Sequence, residues 1–341
     1  MDRIVFFYPK GHEQHFEQGH PERPDRVEVI KQKLEDDGIW ENYPKVAPME
    51  IPEKVLHGVH EPEYLNRLEI ASEKGHRLDM DTYITPASWQ LALNAAGGGI
   101  AVAKRVWNRE AHRGFALCRP PGHHATPNQT MGFCLLNNIA IAAEYLLQIE
   151  KSERLAIIDI DLHHGNGTQD IFWSRGDVFF FSIHQYPLYP LSGKLDETGS
   201  GPGKNSTANF PFYPHTGDEA RITAVNEVII PLLDRFKPNM LLMSVGFDAH
   251  WKDPLGHQLV STDGYAQVIS KFTSWADANC NGRISIFLEG GYDLEVGATS
   301  ALAITKALMG EPWNDVLGKS PIPEDMHWQS LIEKAKEMWE L

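Results

Sequence analysis

The chain is poor in cysteine, with Cys118, Cys134 and Cys280 scattered over 341 positions. So few and so dispersed, they exclude a disulfide framework and a thiolate-rich zinc site, and they fit a reducing, cytoplasmic setting. Long apolar runs are also lacking. No segment approaches the roughly 20 uninterrupted apolar residues that a membrane span needs, so no membrane anchoring is expected. Met1 to Lys10 lacks the basic start and extended apolar stretch of a signal peptide. Instead, Ile4–Tyr8 ahead of a Pro-Lys-Gly turn reads as a first strand. Basic charge is in deficit: 31 Lys and Arg against 46 Asp and Glu give a formal net charge of −15. Binding a phosphate backbone depends on many Lys/Arg contacts, so no nucleic-acid partner is expected, and cationic ligands are favoured instead. The simpler use of the acidity is solubility.

The chain does have enough apolar residues, 42%, for a large core. Short runs rich in β-branched and aromatic residues, apolar throughout, read as strands covered on both faces. They are Ile4–Tyr8, Phe115–Cys118, Leu155–Ile160, Val178–Ile183, Met240–Val245 and Ile284–Leu288. Helical patterns alternate with them at Asp25–Asp37, Ala87–Asn108, Asn137–Glu150, Asp218–Phe236, Thr262–Asn279 and Leu294–Met309. This alternation predicts an α/β fold with a parallel sheet between helices. No repeat or long linker divides the chain. A single domain over residues 1–341 is expected, with its core in about 1–310 and a peripheral helical extension at 311–341. The Gly- and Ser-rich stretch Gly193–Ser206 reads as a surface loop.

In open α/β sheets ligands bind beyond the carboxyl ends of the strands. Four strand ends here are followed by reactive residues: Arg119-Pro120-Pro121-Gly122-His123-His124, Asp159-Ile160-Asp161-Leu162-His163-His164-Gly165-Asn166-Gly167, Gly246-Phe247-Asp248-Ala249-His250, and Glu289-Gly290-Gly291-Tyr292-Asp293. Asp161 and His163, two apart in extended backbone, leave the same side of the strand. With Asp248 they make a three-ligand set that leaves one position open, as catalytic zinc sites require. Oxygen and imidazole ligands also admit Fe²⁺, Co²⁺ or Mn²⁺. A hydrogen-bonded turn would explain one such segment but not four together. Adjacent imidazoles at His123 and His124 suit acid/base work, with Asp159 and Asn166 as candidates to orient them. The alternative is that one of the pair is itself a ligand. Tyr292, after a Gly-Gly turn, reads equally as an oxyanion donor or as an aromatic cover on the sheet end.

RPPGHHA at 119–125, DIDLHHGNG at 159–167, GFDAH at 246–250 and EGGYD at 289–293 together resemble the zinc-dependent histone deacetylase family. That family includes acetylpolyamine amidohydrolases and acetoin-utilisation proteins. HPERPDR at 20–26 and DTYITP at 81–86 extend the likeness to most of the chain. The resemblance implies an arginase-like α/β fold with a central, mainly parallel sheet and a narrow tunnel to the metal. It implies Zn²⁺ on Asp161, His163 and Asp248, with His124 as general base and then acid. It pairs His123 with Asp159 and His124 with Asn166, and makes Tyr292 the donor to the acyl carbonyl. Asn166, where some members carry Asp, looks like the class II variant and should leave His124 less basic. Structural K⁺ is also implied: an inner site on Asp159, Asp161, His163, Ser182 and Ile183, and an outer one on Phe172, Arg175, Val178 and Ser206.

The same resemblance implies tunnel walls from Gly132, Phe133 and Tyr189, suited to gripping an aliphatic lysine or polyamine stem. Leu255 resembles lysine deacetylases, whereas the polyamine-preferring branch can carry Glu there. An acid in the loop Gly11–Glu22 (Glu13, Glu17 or Glu22) could still meet a distal ammonium, and that loop could mediate homo-oligomer formation. The expected activity is removal of acetyl or related acyl groups from lysine. The alternatives are an acetylpolyamine or other small-molecule deacetylase and, more distantly, a non-catalytic module that binds acetyl-lysine.

Overall fold

The computed structural model describes residues 2–341. Its centre is one sheet of eight strands, every pairing parallel: β1 (Val5–Phe7), β2 (Lys45–Val46), β3 (Arg113–Ala116), β4 (Leu155–Asp159), β5 (Val178–Gln185), β6 (Thr207–Phe212), β7 (Leu241–Val245) and β8 (Ile284–Leu288). The spatial order is β2-β1-β3-β8-β7-β4-β5-β6.

Side chains leave a strand alternately up and down, and both faces here are buried. Ile158, Phe179, Phe181, Met243 and Ile286 enter one core with the helices Asp25–Asp36, Thr262–Asn279 and Leu294–Met309. Ile157, Phe180, Leu242 and Phe287 enter the other, against Pro62–Lys74, Ser88–Trp107 and Asn138–Gln148. Continuous apolar strands are what this three-layer packing requires. Side-chain caps fix several helix starts: Asn137, Ser261 and Asp293 accept the N–H of Ala140, Gly264 and Val296.

The helix expected over Asp218–Phe236 is interrupted. Asp218–Ala224 gives way to a π turn at Val225–Ile229 before Ile230–Phe236. Pro231 has no N–H to give the carbonyl four residues back, and the ladder widens to i→i+5 just ahead of it. Two strands escaped the sequence reading, the two-residue β2 and β6, which holds Pro211 and follows the Gly/Ser-rich loop. At the chain's end, the helix Trp328–Trp339 buries Trp328, Ile332, Ala335 and Trp339 in the first core.

One consequence of strand order governs the rest. The four strands that carry the reactive segments, β3, β8, β7 and β4, are consecutive neighbours in the sheet. Their carboxyl ends therefore open onto one patch. Among the described residues no helix is long and apolar enough to cross a membrane.

Candidate metal centre

Beyond β4 the chain turns through Asp161 and His163, and beyond β7 it reaches Asp248. Donor atoms of these three residues lie within 4.8 Å of one another. His163 Nδ1 is 3.2 Å from Asp161 Oδ1 and 3.1 Å from Asp248 Oδ2. Backbone amides hold the carboxylates in place: Asp161 accepts the N–H of His163 at 2.8 Å and of Gly290 at 2.9 Å, and Asp248 accepts that of Leu162 at 3.0 Å. Two glycines make room for this cradle. A Cβ on Gly246 would fall 1.8 Å from Asp161 Oδ2, and one on Gly290 would fall 2.3 Å from Asp248 Oδ2.

Asp161 and Asp248 are buried, and two carboxylates held this close require positive charge between them. Burial raises the Asp248 carboxyl, and the charge of Asp161 raises it further. Burial works against a charged His163, yet its bonds to Asp161 and Asp248 hold the imidazolium up to about 10. Two buried carboxylates, an imidazole and a glycine-lined floor fit a divalent cation.

The His123–His124 segment follows β3. His123 Nδ1 meets Asp159 Oδ2 at 2.9 Å, and His124 Nδ1 donates to Asn166 Oδ1 at 2.7 Å, so Nε2 of His124 keeps its lone pair. The two rings lie 4.0 Å apart, and the His124 ring lies 5.8 Å from that of His163. Burial disfavours charge on His123, but Asp159, Asp161 and Glu289 overcome it and raise its pKa to about 10. His124 moves the other way: burial and the charges of His123 and His163 push its pKa well down. Adjacent imidazoles are thereby split into a charged and a neutral one.

Tyr292 follows β8, and its backbone is held on both sides. Arg26 donates from Nε to the Gly291 carbonyl at 2.6 Å and from a second nitrogen to the Glu289 carbonyl. Asp253 Oδ2 accepts the N–H of Tyr292 at 2.7 Å and of Asp293 at 3.0 Å. The Phe133 ring meets Tyr292 edge-on at 5.8 Å, and Tyr189 meets His124 edge-on at 5.3 Å. Gly132 abuts the His124 ring, and half-buried Leu255 follows Asp253. Cavities of about 480 and 400 Å³ lie toward the two edges of the sheet, lined by Tyr8 and Trp40 and by Phe179 and Trp339, away from these groups.

Register sets Asp159, at the end of β4, opposite Ser182 within β5, with Ile183 next. The Ser206 hydroxyl donates to the Arg175 carbonyl at 2.9 Å, and the Arg175 N–H donates to the Phe172 carbonyl at 2.9 Å, just ahead of Val178.

The loop Gly11–Glu22 corrects one expectation. Glu22 does not face a channel; it is fully buried, with Arg119 Nε at 2.7 Å from Oε1, Arg26 at 3.2 Å and the Tyr83 hydroxyl at 2.9 Å. Burial opposes the Glu22 charge, but Arg119 and Arg26 bring its carboxyl down to about 2. Glu17 is paired with Arg77. Glu13 remains exposed. Sequence reasoning also missed the roles of Asp253, Arg26 and the Glu289 side chain, whose Oε2 accepts the N–H of Gly122 at 2.7 Å and of His123 at 3.1 Å. The one available signal for Asp253 was its place before Pro254, a turn-former context.

Two buried aspartates and a part-exposed histidine, flanked by a polarised histidine pair, make a candidate metal centre of the kind hydrolases use. The model of the histone deacetylase domain matches residues 20–308. A probable deacetylase of Archaeoglobus fulgidus is 42% identical over 278 residues, 81% of this chain and 77% of that protein. A histone deacetylase-like amidohydrolase of Pseudomonas aeruginosa is 35% identical over 296 residues, 86% and 77%. The crystal structure of the HDA15 HD domain superposes with a TM-score of 0.90 at 32% identity, covering 99% of this chain and 94% of that one. The chain belongs to the histone deacetylase family and has its arginase/deacetylase-like α/β fold.

Proposed function

We propose that this protein is a zinc-dependent deacetylase that removes acetyl or related acyl groups from lysine side chains. The observation that carries the reading is the Asp161/His163/Asp248 donor set beside a neutral His124 whose Nε2 is free to take a proton. Asp161, His163 and Asp248 would hold the ion; when bound, it supplies a Lewis acid for the acyl oxygen and lowers the pKa of water. His124 removes a proton from water as the water oxygen attacks the acyl carbon, and later returns it to the departing amine. His123, charged and fixed by Asp159, adds positive potential beside the developing oxyanion. Asn166 sets the His124 tautomer. The Tyr292 hydroxyl donates to the oxyanion. Water and amide become carboxylic acid and free amine.

The aromatic rings of Phe133 and Tyr189, with Gly132 and Leu255, would line a tunnel for the aliphatic stem. Leu255 at that wall, rather than a carboxylate, favours acyl-lysine over acetylated polyamines. K⁺ would sit on the carbonyl-rich junctions: Asp159, Asp161, His163, Ser182 and Ile183 for the inner site, and Phe172, Arg175, Val178 and Ser206 for the outer. The test is a panel of acetyl-lysine peptides, longer acyl-lysine peptides, acetylputrescine and acetylspermidine, assayed with the zinc-loaded protein. Acetyl-lysine is expected to be turned over fastest. Faster turnover of the polyamines would replace this substrate assignment, and binding without release of acetate would overturn the enzyme reading.

A further inference from the structure

We infer that Asp253 is a positioning residue for the reaction: its carboxylate fixes both the backbone that presents Tyr292 and the backbone that carries Leu255. The inference rests on the deacetylase reading above and adds to it a residue outside the metal and histidine set.

Asp253 is 5% exposed and spends both oxygens on main-chain N–H groups. Oδ2 takes Tyr292 at 2.7 Å and Asp293 at 3.0 Å; Oδ1 takes Leu255 at 3.0 Å. Three amide donors on one buried carboxylate form a clamp between the loop after β7 and the loop after β8. Backbone bonds between the two segments stop at Glu289 and Gly290, whose partners are Val245 and Phe247, so none of them reaches Tyr292 or Asp253. The Tyr292 loop also passes through Gly291 at φ +109°, a conformation open to glycine and one in which a Cβ would fall 2.8 Å from Phe247 Cβ. Such a turn is freely jointed on its own. Arg26 and Asp253 grip the peptide group before Tyr292 from its two ends, the Gly291 carbonyl and the Tyr292 N–H, and Asp253 also holds the peptide group after it through the Asp293 N–H. With both adjoining peptide groups held, the phenol has only its own side-chain torsions left to set. Asp293 gains as well, since it must cap the helix Leu294–Met309 through Val296 while presenting its own N–H to Asp253.

Asp253→Asn keeps the shape and removes the clamp. The amide has one acceptor oxygen, so its NH₂ group must face the N–H of Leu255 or those of Tyr292 and Asp293. In the zinc-loaded enzyme, kcat on an acetyl-lysine peptide is expected to fall by about 100-fold, the cost of misplacing a reacting group by roughly 1 Å. KM is expected to rise by no more than about threefold, since of the proposed tunnel wall only Leu255 depends on Asp253 while Phe133 and Tyr189 do not. The discriminating measurement is the same substitution in a Tyr292→Phe background. If Asp253 acts through the phenol, its effect there shrinks to less than about threefold, as residues in one unit are non-additive. An equal fall in both backgrounds, or unchanged kcat in the single variant, overturns the inference. Amide hydrogen exchange on the wild-type protein supplies a readout that does not depend on the variant folding. Tyr292, Asp293 and Leu255 amides are expected to be protected like those of β8, and exchange at free-loop rates overturns the clamp. An inactive wild-type protein would sink the deacetylase reading, whereas an active one with additive variants sinks only this role for Asp253.

Discussion

A methyl group on Gly132 would sit 2.3 Å from Cδ2 of His124. The main chain closes directly on that imidazole, and it does so at φ +54°, where a side chain is strained. Gly132→Ala is therefore expected to displace the ring and lower kcat by about 100-fold, with bound metal unchanged. Steady-state kinetics paired with metal analysis check this. Wild-type turnover in the alanine variant would sever His124 from the mechanism.

Removing the Tyr292 hydroxyl should act on the transition state and spare substrate binding. Tyr292→Phe is expected to cost on the order of 2.7–4 kcal/mol, roughly 100- to 1000-fold in kcat, as for other oxyanion donors. KM is expected to change little. A variant that loses affinity while keeping its turnover would make Tyr292 part of the tunnel wall instead.

The facing carboxylates of Asp161 and Asp248 link metal to stability. Zinc at a hundredfold excess over its Kd is expected to stabilise the wild-type fold by about 2.7 kcal/mol, seen as a rise in Tm that a chelator reverses. Asp248→Asn removes one donor, so both the bound zinc and the rise in Tm should diminish together. Calorimetry with and without zinc tests this; an undiminished rise would place the ion elsewhere.

Much of this architecture was legible because it depends on patterns that are local. Within β4 and β5 the runs Leu155–Ile158 and Val178–Phe181 are apolar throughout since both their faces are covered, and Thr262–Asn279 and Leu294–Met309 carry side-chain caps that mark their starts. The cluster of Asp161, His163 and Asp248 was legible because strand ends are where side chains meet in such sheets. What escaped notice depends on distant partners. Nothing local in Glu22 distinguishes a surface acid from one locked between Arg119 and Arg26, and nothing near Asp253 announces that two of its three donors come from a loop about 40 residues on. Strand β2 was missed because two residues carry no period, and the π turn at Val225–Ile229 because helical spacing survives it.

His60 makes a pH prediction with a definite sign. Its Nδ1–H donates to the Thr126 carbonyl at 2.9 Å while Nε2 accepts the Asn137 N–H at 2.9 Å, so only the neutral ring fits. Burial outweighs the Thr126 bond and lowers its pKa from 6.5 to about 4. Between those values the unfolded chain takes up a proton that the native one refuses. The stabilisation is complete above pH 6.5 and is lost as pH falls toward 4, on the order of 3 kcal/mol in all. Urea midpoints followed from pH 7 to 4 should fall less steeply in His60→Gln than in wild type, by up to about 1.4 kcal/mol per pH unit. Parallel slopes would contradict the assignment.

Charge at position 255 should move substrate preference. Leu255→Glu places a carboxylate on the proposed tunnel wall, where a distal ammonium could meet it. Relative kcat/KM for acetylspermidine over an acetyl-lysine peptide is expected to rise by up to about fivefold, the range of a partly solvated ion pair. Competition assays at two salt concentrations check it, because a genuine charge effect weakens as salt increases.

Because all eight strands run the same way, one rim of the sheet carries every reactive group and the other carries none of them. Lys151, Lys237 and Asn281 are exposed on the turns leading into β4, β7 and β8. A five-residue strand puts roughly 17 Å between such a turn and the donor atoms. A dye, a surface tether or a fused domain attached there would leave the candidate site facing bulk solution, which makes that rim the natural handle for immobilising the protein with its proposed active site outward.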